Sequence, residues 1–253
     1  MYFESHAHYD DRRFNDDRYE LIDALHDKEG VHAIINIGCD IKTSLSSLSL
    51  ADSYDFVYAA VGVHPHEADS LDEKSFALLK DLTKEDKAVA VGEIGLDFYY
   101  DNSPRDVQRY WFKRQLELAK EVDMPVVIHS RDAAQETFDM IKASGVRKGV
   151  IHCYSGSAEM AEEYVKMGFK IGVGGVVTYK NSKKLIETVE RLSIKDILIE
   201  TDSPYLAPSV VRGTRNDSSN LKYVVKKIAE LKNMTEEEVA RITSDNAVEL
   251  FFK

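Results

Sequence analysis

YFESHAHYDD, residues 2–11, runs from a short apolar stretch straight into two histidines and two aspartates. This stretch decides between two α/β folds. A doubly wound sheet normally carries a glycine-rich phosphate loop after its first strand. Here HAHYDD (6–11) stands in that place. Side chains two apart on a strand share a face, so His6 and His8 look the same way. Two neutral imidazoles side by side gain little from each other, whereas a cation between them explains the pairing.

Working outward, the same kind of apolar run recurs. The candidate strands are YFES (2–5), HAIINIG (32–38), VYAAVG (57–62), AVAVGE (88–93), PVVIH (125–129), KGVIH (148–152), KIGVG (170–174) and DILIET (196–201). Continuous, often β-branched runs of this length suit strands buried on both faces, as in parallel sheets. The segments between them have helical character. Ser103 and Pro104 suit the start of a helix to about Val122, with Val107, Trp111, Leu118 and Val122 on one stripe. Leu221, Val224, Val225, Ile228 and Leu231 repeat at helical spacing, TEEE (235–238) offers a capping box, and Ser244 is positioned to cap a last short helix. Eight strands alternating with helices predict a single-domain (β/α)8 TIM-like barrel over residues 1–253, with its active site at the C-terminal ends of the strands.

Composition narrows the function. The chain carries 44 acidic and 33 basic side chains, a net charge of −11, which argues against coating nucleic acid by bulk electrostatics. It leaves room for an enzyme that grips a few phosphates locally. Apolar runs such as FVYAAVGV (56–63) are too short to span a bilayer. Cys39 and Cys153 form no disulfide framework and read as small buried side chains. The expectation is a cytoplasmic protein with no membrane association and no obligate protein partner.

The polar residues at the strand ends carry the chemistry. Strand one supplies His6 and His8, strand three His64 and His66, strand four Glu93, strand five His129, strand six His152 and strand eight Asp202. Barrel closure brings these ends to one mouth. His26 and His32 fall elsewhere and read as surface or packing residues. Burying so many ionisable groups together without a cation is costly. Four imidazoles (His6, His8, His129, His152) and two carboxylates exceed the needs of one catalytic zinc. They suit two divalent ions, Mg, Mn or Zn, bridged by the central Glu93. His6, His8 and Asp202 would serve one ion, and His129 and His152 the other.

These residues lie in SHAHYDD (5–11), VGVHPHEA (61–68), VGEIGLDFYY (91–100), PVVIHSRDA (125–133), HCYSGS (152–157), GVGGVVTYKN (172–181) and ETDSPYLAP (200–208). In these segments the chain resembles the TatD family of metal-dependent deoxyribonucleases, among the amidohydrolase-like hydrolases. The resemblance implies a TIM-like barrel, divalent metals and hydrolysis of DNA phosphodiesters, often as an exonuclease. It implies the same six ligands. The chain departs from the family pattern at Glu4, where an aspartate is usual. It departs again in RGTRNDS (212–218), where Thr214 replaces a lysine and Asp217-Ser218 replaces Glu-Pro.

The expected reaction is attack by a metal-activated water on phosphorus. Asp202 orients that water or takes its proton, alongside Glu93. His64 reads either as a phosphate contact or proton donor, or as a helix-capping residue; His66 reads as structural. Arg131 holds a phosphate or pairs with Asp132 or Glu136. Tyr154, Ser155, Arg212 and Arg215 are the remaining candidate substrate contacts. The alternative reading is a hydrolase of a small phosphate ester or amide on the same scaffold.

Overall fold

Small and β-branched residues make each apolar run extended, and all eight become strands of one parallel sheet. The computed structural model describes residues 1–253. The strands are β1 (Tyr2–Ala7), β2 (Val31–Ile37), β3 (Val57–Val61), β4 (Ala88–Asp97), β5 (Val126–Arg131), β6 (Gly149–Ile151), β7 (Phe169–Val173) and β8 (Ile197–Ile199). Their order in space follows the chain from β1 to β8. Seven helices link them: α1 (Arg18–Asp27), α2 (Ile41–Ala51), α3 (Glu73–Leu82), α4 (Arg105–Glu121), α5 (Ala134–Ser144), α6 (Ala158–Lys166) and α7 (Lys183–Arg191). Two more, α8 (Leu221–Lys232) and α9 (Glu236–Phe252), follow the last strand. This is the (β/α)8 barrel that the alternation predicts. No helix is long and apolar enough to cross a membrane.

Alternation along the strands divides the core. In β2, Ala33, Ile35 and Ile37 join Phe3, Ala60, Val127, Val150 and Leu198 in one cluster, while Ile34 packs with helix residues in another. The first cluster fills the barrel interior and is continued by Ala247, Leu250 and Phe251 of α9. Phe251 stacks on Phe3 with ring centroids 6.2 Å apart, so α9 plugs the end opposite the mouth.

The seam between β8 and β1 is narrow. The Asp202 amide donates to the His6 carbonyl (2.9 Å) and the His8 amide to the Ser203 carbonyl (2.8 Å). Glu4, fully buried, completes it. Its Oε1 accepts from the Thr201 amide (2.9 Å) and the His6 amide (3.2 Å), and its Oε2 from the hydroxyls of Thr201 (2.7 Å) and Ser218 (2.8 Å). One carboxylate thus ties β1, the end of β8 and the loop before α8. Burial pushes the Glu4 carboxyl up to about 7, against these hydrogen bonds.

Some local expectations change. The Thr235–Glu238 capping box forms, but α9 runs unbroken through Ser244. Ser244 caps nothing; its hydroxyl bonds His32 Nε2 at 2.6 Å. Pro104, not Ser103, occupies the N-cap of α4. Ser103 is buried and donates instead to the His66 carbonyl (3.0 Å). Cys39 and Cys153 are free and only partly buried.

Candidate metal centre

Six strand ends deliver the cluster to one mouth. His6 lies near the end of β1 with His8 just beyond it, Glu93 and Asp97 lie on β4, and His129 on β5. His152 follows β6 directly, His64 follows β3, and Asp202 follows β8. Asp202 has φ +55°, a left-handed conformation that aspartate adopts more readily than most residues.

Glu93 stands in the middle. Its Oε2 lies 3.4 Å from His6 Nε2 and 3.9 Å from His8 Nε2. Its Oε1 lies 2.9 Å from His129 Nδ1, 3.5 Å from His152 Nε2 and 3.6 Å from His64 Nε2. The two oxygens therefore face two separate groups of imidazoles. Asp202 Oδ1 sits 3.4 Å from His8 Nε2 and 3.7 Å from His6 Nε2. Burial alone would raise the Glu93 carboxyl, but the imidazoles of His152, His64 and His6 outweigh it and hold it well below the usual range. Burial and the neighbouring His129 hold the His64 imidazole well below its usual value.

The donor set fits divalent cations. His8 Nδ1 lies 2.9 Å from the Ile37 carbonyl. A carbonyl has no proton to give, so Nδ1 donates, and in the neutral ring Nε2 keeps its lone pair. That Nε2 lies only 3.2 Å from His6 Nε2. Both nitrogens and two carboxylate oxygens converge on one small space, where a cation satisfies all four. Three ligand groups have donor atoms within 4.8 Å of one another: His6, His8 and Glu93; His6, His152 and Asp202; and His64, Glu93 and His129. His152 stands between the two groups: its ring stacks on His6, 3.6 Å between centroids, and it groups with His6 and Asp202, while its Nε2 also lies 3.5 Å from Glu93 Oε1, the oxygen facing His64 and His129.

Two acids behind the cluster escape sequence reasoning. Asp97, fully buried, accepts from His129 Nε2 (3.1 Å) and His66 Nε2 (2.8 Å). Its other oxygen accepts from the amides of Tyr99 and Tyr100, both at 2.9 Å. These partners overcome burial and keep its carboxyl far below the usual range. Glu200 Oε1 accepts from the Cys153 amide (2.5 Å) and lies 3.3 Å from His152 Nδ1, off the line of a hydrogen bond. The signal was present in each case. Asp97 shares strand parity with Glu93, Glu200 with Asp202 and Glu4 with His6, the same two-residue logic that pairs His6 with His8.

The candidate substrate contacts separate. The His64 Nδ1 accepts from the His66 amide (3.1 Å), capping the short turn Pro65–Ser70, while its Nε2 faces Glu93. His66 is structural, held by Asp97. Tyr154 is buried, and its hydroxyl donates to the Ser157 carbonyl (2.6 Å). Ser155 is exposed. Arg215 is spent on Asp17, with N–O distances of 2.7 and 2.6 Å, and on the Arg13 carbonyl (2.8 Å). Arg131 makes neither expected ion pair; its guanidinium lies over the rings of Tyr99 (4.2 Å) and Tyr100 (4.6 Å). Arg212 lies over the Tyr179 ring at 4.8 Å. His26 stacks on Phe56, away from the mouth.

A closed parallel barrel with imidazoles and carboxylates converging at the carboxyl ends of its strands defines a metal-dependent hydrolase. Comparison with known proteins specifies which kind. The family model described as TatD related DNase matches residues 3–252, and the chain belongs to that family. The chain is 44% identical over 253 residues to a Bacillus subtilis (strain 168) protein named uncharacterized metal-dependent hydrolase YabD, covering 99% of both. It is 32% identical over 247 residues to the 3'-5' ssDNA/RNA exonuclease TatD of a Rahnella species, covering 94% of each. The crystal structure of YjjV, a TatD homologue from Escherichia coli K12, superposes with a TM-score of 0.93 at 32% identity, covering 99% of this chain and 97% of that one.

Proposed function

We propose that this hydrolase cleaves phosphodiester bonds of single-stranded DNA from an end, using two divalent ions. The observation that carries the reading is Glu93, whose two oxygens face His6 and His8 on one side and His64, His129 and His152 on the other. Two ions sharing one carboxylate suit phosphate-ester hydrolysis, in which charge develops on both the attacking and leaving oxygens. His6, His8, Glu93, His129, His152 and Asp202 would hold the ions. The Rahnella relative named as a ssDNA/RNA exonuclease supports the substrate class.

His6, His8, Glu93, His129, His152 and Asp202 would hold divalent ions whose chemistry would be Lewis acidity toward the phosphate and the attacking water. The protein's own groups do the rest. The Asp202 side chain is 16% exposed against 4% for Glu93, so Asp202 looks out of the mouth and can take a proton from the attacking water. Because His64 Nδ1 accepts from the His66 amide, its neutral ring carries the proton on Nε2. That N–H can donate a hydrogen bond to a phosphate oxygen, which supports a phosphate-contact role for His64. Asp97 orients His129 from behind through its hydrogen bond, and Glu200 sets a carboxylate beside the His152 ring. Imidazole-rich ligation suits Mn or Zn better than Mg.

The test is a panel of single-stranded DNA, RNA, a chromogenic phosphodiester and an acylated amino acid, each with Mg²⁺, Mn²⁺ or Zn²⁺ and with chelator. Metal-dependent release of mononucleotides from DNA is the expected result. Cleavage of the amide alone would overturn the nuclease reading in favour of a small-substrate hydrolase.

A further inference from the structure

We infer that the nucleic-acid strand leaves the metal centre across a basic shelf formed by the β7 and β8 loops, with Lys184 anchoring a phosphate next to the one that is cut. The inference rests on the nuclease reading above and adds the route of the substrate.

A cavity of about 240 Å³ beside the cluster has His152, Ser155 and Gly156 in its lining, with the apolar Ile151, Met160 and Tyr164, and takes Lys184 from the start of α7. Ser155 is exposed there. Beyond it lies YKNSKK (179–184), in which Lys180, Lys183 and Lys184 are all exposed. None of the three lies within ion-pairing distance of a carboxylate, although acids outnumber bases by 44 to 33 in the chain. Asp132 also lines the cavity but makes no ion pair with Lys184, so a phosphate would settle on the lysine side.

Lys183 and Lys184 also contradict their own helix. The first turn of α7 holds no acid, and cations at a helix N-terminus oppose the macrodipole. A phosphate lying there would relieve both the lysines and the helix end.

The shelf is fixed in place. The Ser209 amide donates to the Thr178 hydroxyl (2.8 Å), and the Tyr179 hydroxyl donates to the Ala207 carbonyl (2.8 Å). These bonds lock the β7 loop to the loop after β8. Arg212, over the Tyr179 ring, adds a fourth cation without an ion pair. Of the other arginines near the mouth, Arg215 is committed to Asp17, while Arg131, like Arg212, lies over tyrosine rings without an ion pair.

The test uses the metal-loaded protein and a phosphorothioate-linked oligothymidine, which binds without being consumed. Substituting Lys180→Gln, Lys183→Gln and Lys184→Gln together should weaken binding at least about tenfold and flatten the plot of log affinity against log salt by about 2, from roughly 0.7 per lost contact to a single strand. With a cleavable strand, KM should rise more than kcat falls, and Lys184→Arg should keep most of the affinity. Lys226→Gln on α8 is the control for general charge loss and should bind like the parent. Equal affinity and equal slope in the triple variant and the parent would overturn the inference. A strand bound through these lysines but left uncut with every ion would uphold the shelf and sink the nuclease reading. A strand cut with unchanged KM and slope in the triple variant would do the reverse. A parent protein that binds no strand would end both.

Discussion

Glu93 illustrates what one residue does when five imidazoles surround it. Neither of its oxygens faces water, and each faces a different set of nitrogens. Glu93→Gln keeps the shape but loses the negative charge that two cations would share. Metal analysis of that variant should therefore show loss at both positions, and two full equivalents would contradict a bridging role. Asp97 acts one layer further out, on His129 and His66. Asp97→Asn should lower metal affinity by about 10–100-fold, the usual effect of removing such an orienting carboxylate. Competition with a chromogenic chelator measures it, and an unchanged affinity would mean that His129 needs no orientation.

Among the elements, the β8–β1 seam is the weakest join in the barrel, and Glu4 is its main tie. Its four hydrogen bonds reach two strand ends and the loop that enters α8. Glu4→Gln would place an amide N–H against the backbone amides or hydroxyls that now donate to the carboxylate. The expected cost is about 1–3 kcal/mol, read from the denaturant midpoint. A loss below about 0.5 kcal/mol, typical of surface changes, would show that the seam closes without this carboxylate. Strand and helix types were legible from their periodicity, while their ends were less so. AVAVGE (88–93) stops short of the observed β4, which runs to Asp97, because Gly95 interrupts the apolar pattern. At Gly95 φ is +151°, and a Cβ would lie 1.9 Å from the His129 carbonyl oxygen. Only glycine lets β4 continue against β5 there, and so carry Asp97 to the site.

For the molecule as a whole, buried tyrosines predict a limit at high pH. Burial pushes the Tyr54 hydroxyl up to about 12 and raises Tyr164 and Tyr9 as well. Each group holds its proton more tightly folded than unfolded, so the unfolded chain binds fewer protons above about pH 10. The stability these groups contribute is complete below that value and falls as pH rises toward the folded values. Denaturant midpoints measured across this range should decline, and a flat profile would show that the tyrosines ionise without unfolding. At this scale too, His6, His8, Glu93, His129, His152 and Asp202 are visible in the sequence because each directly follows or ends an apolar run, and the barrel order makes those ends neighbours. What the sequence alone determined was the alternation of buried strands and amphipathic helices and the residue types at the strand ends, since these depend on local periodicity. The tertiary structure alone decided that Arg215 pairs with Asp17, that the Tyr154 hydroxyl bonds the Ser157 carbonyl, and that Arg131 lies on tyrosine rings. A side chain's partner comes from wherever in the chain the fold brings it, and no spacing along the chain encodes that.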